Sequence, residues 1–132
     1  KINKPKYDDS WERWNRTLDM LKNLDTRTVL RITLIRNYND QKEMIPAFAD
    51  MFRKASPHFI EIKSYMHIGR STNRLEHENM LEMHEVKKFS EQIAKQSKIF
   101  SIMDESLVSR ISILQNNERF IDRWIPTYAN TN

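Results

Sequence analysis

The stretch HFIEIKSYMHIG, residues 58–69, decides how the chain is read. In extended conformation Ile60, Ile62, Met66 and Ile68 share one face, and Glu61, Lys63, Tyr65 and His67 share the other. The stretch ends at Gly69, the only glycine in the chain. A strand inside an open parallel sheet is covered by helices on both sides and reads apolar on both. A barrel strand meets helices on its outer face and, near its C-terminal rim, a functional cavity on its inner face. The pattern matches the second case, with the aliphatic residues on helices and the polar ones climbing toward the rim. The competing reading is a sheet edge with its polar face in water. Glu61 and Lys63 are then a surface ion pair of little consequence.

The flanking segments supply the rest of an alternating pattern. YDDSWERWNRTLDMLKNLD reads as a helix capped by Ser10, with Trp11, Trp14, Leu18 and Leu21 as a core-facing stripe. TRTVLRITLIRNYN predicts a strand over 28–36, with Leu30, Ile32 and Leu34 on one side and Val29, Arg31, Thr33 and Ile35 on the other. NDQKEMIPAFADMFRKASP is the next helix; Asp40 and Glu43 have capping-box spacing, and Ile45, Phe48, Ala49 and Phe52 form its stripe. A polar loop, GRSTNRLEHENMLEM, leads to a helix with Val86, Phe89 and Ile93 on one side. One short strand and another over 107–114 follow, with Asp104 and Glu105 read as a turn. The C-terminal segment is expected to dock by Phe120, Ile121 and Trp124. Helix and strand alternate throughout, which predicts an α/β architecture of parallel strands joined by crossover helices. Arg31 and Arg110 have the same mixed-face placement as Lys63, and several inward cations favour an anionic ligand.

Composition narrows the chemistry. The 132 residues suit one domain or a piece of a larger one, and the net charge of +4 is mildly basic. No apolar run approaches bilayer length, the first residues are polar, and a cytoplasmic location is expected. There is no cysteine, so the chain offers no thiolate to zinc or an iron–sulfur cluster. His58, His67, His77 and His84 are scattered without zinc-ligand spacing, so no metal site is assigned. A single glycine stands where average usage predicts roughly nine, so glycine-rich cofactor loops are absent. The start at Lys1 rather than Met reads as a chain beginning mid-protein.

TVLRITLIRNYN, FIEIKSYMHIG with STNRL, HEVKKFSEQIA and DESLVSRISIL occur in one order and at set intervals. Together they resemble the C-terminal half of archaeal-type tRNA 4-demethylwyosine synthase, a radical S-adenosylmethionine enzyme family of wybutosine biosynthesis. KINKPKYDDSWERWNRTLDMLKNL is similar to the family segment after the fourth barrel strand. The resemblance implies a partial TIM-type barrel over 1–115, followed by a docking segment and tail over 116–132. It implies a lyase that uses S-adenosylmethionine and a [4Fe–4S] cluster to condense pyruvate with N1-methylguanosine-37 of phenylalanine tRNA. The family's cluster cysteines lie upstream, so this chain alone is expected to be inactive and to associate with the missing N-terminal half. A family lysine is described as forming a Schiff base with pyruvate. Lys63 is the candidate, with Glu61 as its orienting or neutralising partner and Lys1 and Lys4 as rivals. The resemblance further assigns Arg36, Asn37 and Asn39 to cofactor contact, and Tyr65, His67, Arg70, Ser71, Asn73 and Arg74 to substrate and tRNA contact. Two alternatives stand beside it: a non-catalytic basic α/β module binding RNA or a protein partner, and another radical S-adenosylmethionine branch.

Overall fold

A computed structural model describes residues 5–126. Helix α1 spans Ser10–Leu21, strand β1 Val29–Leu34, helix α2 Ile45–Ala55 and strand β2 Phe59–Ser64. Two short 3₁₀ segments, Gly69–Asn73 and His77–Asn79, lead to helix α3 at Met83–Ser97. Strands β3, Phe100–Ser106, and β4, Ile111–Asn116, close the order.

The four strands form one mixed sheet in the order β1-β2-β4-β3. β1 and β2 are parallel, but β4 runs antiparallel to both β2 and β3, so the expected all-parallel sheet is not found. The cause is the connection. Only Leu107–Arg110 lie between β3 and β4. A parallel crossover needs a dozen or more residues, whereas a hairpin needs a few. Arg110 takes the left-handed conformation, φ 49°, as the chain turns back.

One face of the sheet carries the core. Ile32 and Leu34 of β1, Ile60 and Ile62 of β2, and Leu114 of β4 pack against Ile45 and Phe52 of α2 and Val86, Phe89 and Ile93 of α3. The stripes expected for α2 and α3 are therefore the ones that bury. That of α1 is not: Leu18 is buried, but Trp11 and Trp14 are 69% and 42% exposed and stack on each other. Ser10 does not cap α1; its hydroxyl donates to the Tyr7 carbonyl. The 40/43 capping box is also absent, because the Asp40 carboxylate accepts from the Asn37 backbone N–H in the turn after β1. A capping box does form at α3, between Glu82 and Glu85.

The other sheet face is crossed at its lower end by the C-terminal segment. Arg27, just before β1, donates to the carbonyls of Asp122 and Trp124 at 2.6 and 3.1 Å, while Arg123 pairs with Asp104 of β3. Arg119 donates to the carbonyls of Leu21, Leu24 and Ser56. Arginines, not aromatics, dock this segment; Phe120 and Trp124 are exposed. No described helix covers the upper part of that face.

Candidate functional site

Register fixes what the open face carries. Because Leu114 belongs to the helix-covered side, its neighbour Ile113 belongs to the open side. Ile113 sits opposite Glu61, which sits opposite Arg31. Asp104 also sits opposite Ile113, because a bulge between Ile102 and Asp104 inserts Met103 and shifts the alternation. Asp104 is thus a strand residue facing the open side rather than part of a turn. Glu105 points the other way, to Lys87 of α3 at 3.4 Å.

Glu61 and Arg31 bond across β1 and β2 at 2.9 Å, with the Glu61 side chain only 15% exposed and Arg31 63%. Lys63 lies in the next row up, between Thr33 and Ile111, half-buried. Its ammonium has no hydrogen bond or ion pair with a described residue, since the nearest carboxylate on its own strand is taken by Arg31. Glu61 therefore neutralises Arg31 rather than Lys63. Arg110 departs from the mixed-face expectation. Its guanidinium turns to the start of α3, bonding the Leu81 carbonyl at 2.9 Å and Glu82 at 3.2 Å.

The strand ends at Ser64, whose buried hydroxyl accepts the Leu81 backbone N–H on the helix side. Tyr65 is the next residue and is 5% exposed. Its backbone N–H donates to the Leu34 carbonyl, and its hydroxyl lies 3.0 Å from His67 Nδ1 and 3.1 Å from Ser71 Oγ. Ser71 Oγ donates to the Ile68 carbonyl at 2.7 Å. The His67 ring meets His77 edge to face at 6.0 Å, and the His67 backbone N–H points at the Met80 sulfur. Tyr65, His67 and Ser71 are thus brought together at the rim, as expected, and His77 joins them from the second 3₁₀ segment. The scattered spacing of the histidines hid this neighbour. Met66 is half-buried, and Ile68, expected on a helix, is exposed because regular strand has ended before it. Gly69 holds φ +62°, a left-handed conformation that turns the chain into the rim loop. Arg70, Asn73 and Arg74 lie on the exposed side of that loop.

Arg36, Asn37 and Asn39 are spent on local structure. Arg36 grips both oxygens of Glu85 at 2.6 and 2.7 Å and donates to the carbonyls of Glu78 and Met80. Burial pushes the Glu85 carboxyl up, but the Arg36 hydrogen bond and the Glu82 N–H outweigh it and hold the group below its ordinary value. The Arg36 guanidinium is raised in turn by its Glu85 hydrogen bond. Asn37 is a left-handed turn residue, φ 68°. Asn39 accepts from the Ile35 N–H and donates to the Thr33 carbonyl, closing the turn. Lys1 and Lys4 lie outside the described residues. Without a cysteine anywhere in the chain, and with no cluster of three metal-ligating side chains among the described residues, these residues do not fit an iron–sulfur cluster.

The sheet and its rim define a segment of an α/β enzyme fold, and comparison with known proteins places it. A family model described as wyosine base formation matches residues 54–116. An S-adenosyl-L-methionine-dependent tRNA 4-demethylwyosine synthase of Methanocaldococcus jannaschii is 43% identical over 112 residues, covering 85% of this chain and 34% of that protein. Its Pyrococcus abyssi counterpart is 35% identical over 117 residues, covering 89% and 34%. A solved structure of TYW1 with a lysine–pyruvate adduct bound superposes with a TM-score of 0.77 at 40% identity, covering 87% of this chain and 35% of that one. An archaeal TYW1 crystal structure gives 0.70 at 36% identity, with the same coverage. The chain belongs to the tRNA 4-demethylwyosine synthase family. It spans about a third of the length of these relatives, matching their C-terminal part.

Proposed function

We propose that this chain is the C-terminal part of a radical S-adenosylmethionine lyase that condenses pyruvate with N1-methylguanosine-37 of phenylalanine tRNA, in wyosine and wybutosine biosynthesis. Its sheet forms part of a TIM-type barrel whose interior is the open face bearing Arg31, Glu61 and Lys63. The [4Fe–4S] cluster and the main S-adenosylmethionine cradle belong to the N-terminal remainder of the synthase. Tyr65, His67 and Ser71 line the substrate end of the cavity, and Arg70, Asn73 and Arg74 meet tRNA phosphate on the rim.

The observation that carries this reading is Lys63. It is a half-buried amine without a carboxylate partner among the described residues, on the uncovered face of a strand whose fold matches a relative holding a lysine–pyruvate adduct. A primary amine attacks the ketone carbon of pyruvate and expels water to leave an imine, a step favoured by an amine not locked in an ion pair. Arg31 on the same face supplies positive charge for a carboxylate.

The test uses the complete synthase. Incubation with pyruvate, borohydride reduction and peptide mapping is expected to place the added mass on Lys63. Lys63→Ala is expected to abolish modified-base formation while S-adenosylmethionine cleavage continues. Added mass on Lys1 or Lys4, or normal product from Lys63→Ala, removes Lys63 from the role.

A further inference from the structure

Donor and acceptor counts at the rim fix the direction of every proton in a four-member chain. Ser71 Oγ has one proton, and the Ile68 carbonyl at 2.7 Å takes it. Toward Tyr65, Ser71 can therefore only accept, so the Tyr65 proton points at Ser71 across 3.1 Å. The Tyr65 oxygen is then an acceptor toward His67 Nδ1 at 3.0 Å, and Nδ1 must carry a hydrogen. In the neutral imidazole this leaves the lone pair on Nε2. The alternative, Tyr65 donating to His67, would put two oxygens at 3.1 Å with no proton between them.

We propose that His67 is the proton-transfer residue of this site, accepting and returning a proton through Nε2, with Tyr65 and Ser71 as the positioning residues that fix its tautomer. The inference rests on the Lys63 assignment above. His67 follows Lys63 by four residues, at most about 13 Å of chain. A lysine and an imidazole reaching toward each other across that span leave room for a small 2-oxo acid. The Lys63 ammonium gives one proton to His67 Nε2, and its nitrogen attacks the ketone carbon to form a carbinolamine. His67 then returns the proton to the carbinolamine hydroxyl, water departs, and the C=N bond forms. The proton borrowed is the proton returned, and no oxidant or reductant enters.

The surroundings suit a group that must titrate near neutrality. The groups facing His67 are Tyr65 from its own segment, Ser71 from the first 3₁₀ segment, and His77 and Met80 from the stretch before α3. Lys63 lies on the strand below it. No carboxylate bonds His67 among the described residues.

The experiment follows the rate and amplitude of the borohydride-trapped pyruvate adduct in the complete synthase across the range from weakly acidic to alkaline pH. His67→Gln is expected to form the adduct at least about 100-fold more slowly, at full amplitude, and to lose the acid limb of the pH profile. Tyr65→Phe keeps the ring but frees the tautomer; a smaller rate loss and a mixed His67 tautomer in ring-nitrogen NMR are expected. Amplitude reports folded sites, so a misfolded variant loses amplitude and not rate. If wild type is labelled on Lys63 while His67→Gln keeps its rate and pH profile, the His67 role is overturned and the Lys63 reading stands. If wild type is not labelled on Lys63, both fall together.

Discussion

Replacing Arg36 by methionine separates two roles for this residue: contact with a cofactor, and tethering of the loop that carries the rim. Its guanidinium makes two charge-assisted bonds to Glu85 and one each to the carbonyls of Glu78 and Met80, and the Met80 sulfur in turn receives the His67 N–H. A hydrogen bond to a charged group contributes about 1.5–3 kcal/mol net. The two side chains keep 33% and 28% of their surface in water, which discounts the pair toward the lower end. Water can also reach the carbonyls. Arg36→Met is therefore expected to lose about 2 kcal/mol in urea unfolding at neutral pH. Arg36→Lys should lose about half that, since an ammonium cannot span both carboxylate oxygens. Glu85 titrates below its ordinary value in the folded chain. Its contribution is full above the unfolded value of about 4.3 and fades as pH falls through the folded one. The gap between wild type and Arg36→Met should thus hold steady from about pH 8 to about pH 5 and narrow below about pH 4. A loss under about 0.5 kcal/mol, or a gap indifferent to acid, would falsify the tether. Weakened S-adenosylmethionine binding at unchanged stability would restore the cofactor role.

Three further outcomes are expected. His58 is buried, and its Nδ1 accepts the Thr28 backbone N–H at 3.1 Å; burial first, then Arg119 and Arg27, lower its proton affinity. The unfolded chain then binds more protons, so stability is complete above about pH 6.5 and declines as pH falls from there. Melting curves should show that decline in wild type and a flatter one in His58→Gln, and equal slopes would remove His58 as the cause. Gly69→Ala should cost about 1 kcal/mol from its left-handed φ alone, since an added Cβ meets nothing within 4 Å. A cost above about 3 kcal/mol would mean that the rim loop tolerates no adjustment. Arg70→Ala with Arg74→Ala in the complete synthase should reduce the slope of log affinity for tRNA against log salt by about one for each phosphate left unneutralised. An unchanged slope would take the rim loop out of the tRNA footprint.

The parts of this molecule legible in its sequence are those in which a local pattern and a tertiary demand coincide. Ile60 and Ile62 alternate because one sheet face is packed, and Val86, Phe89 and Ile93 repeat because one helix face is packed; both patterns survive in the structure. Trp11 and Trp14 have the same periodicity, yet they stay exposed, because spacing states which residues share a face and not whether anything covers it. The direction of β4 follows from chain length alone, since the short link from Ser106 to Ile111 permits only a hairpin, but helix–strand alternation pointed the other way. The rim is different in kind. Arg36 could be placed at a strand end from sequence, but the carboxylate that occupies it lies 49 positions away, and only the packing of α3 brings Glu85 there. His67 and His77 meet for the same reason, through two 3₁₀ segments too short to announce themselves by period. What separates Lys63 from Arg36 is therefore not residue type, strand position or exposure, but which of them already has its anion. That property belongs to the fold, and it is what makes the free amine, rather than the tethered guanidinium, the group available for chemistry.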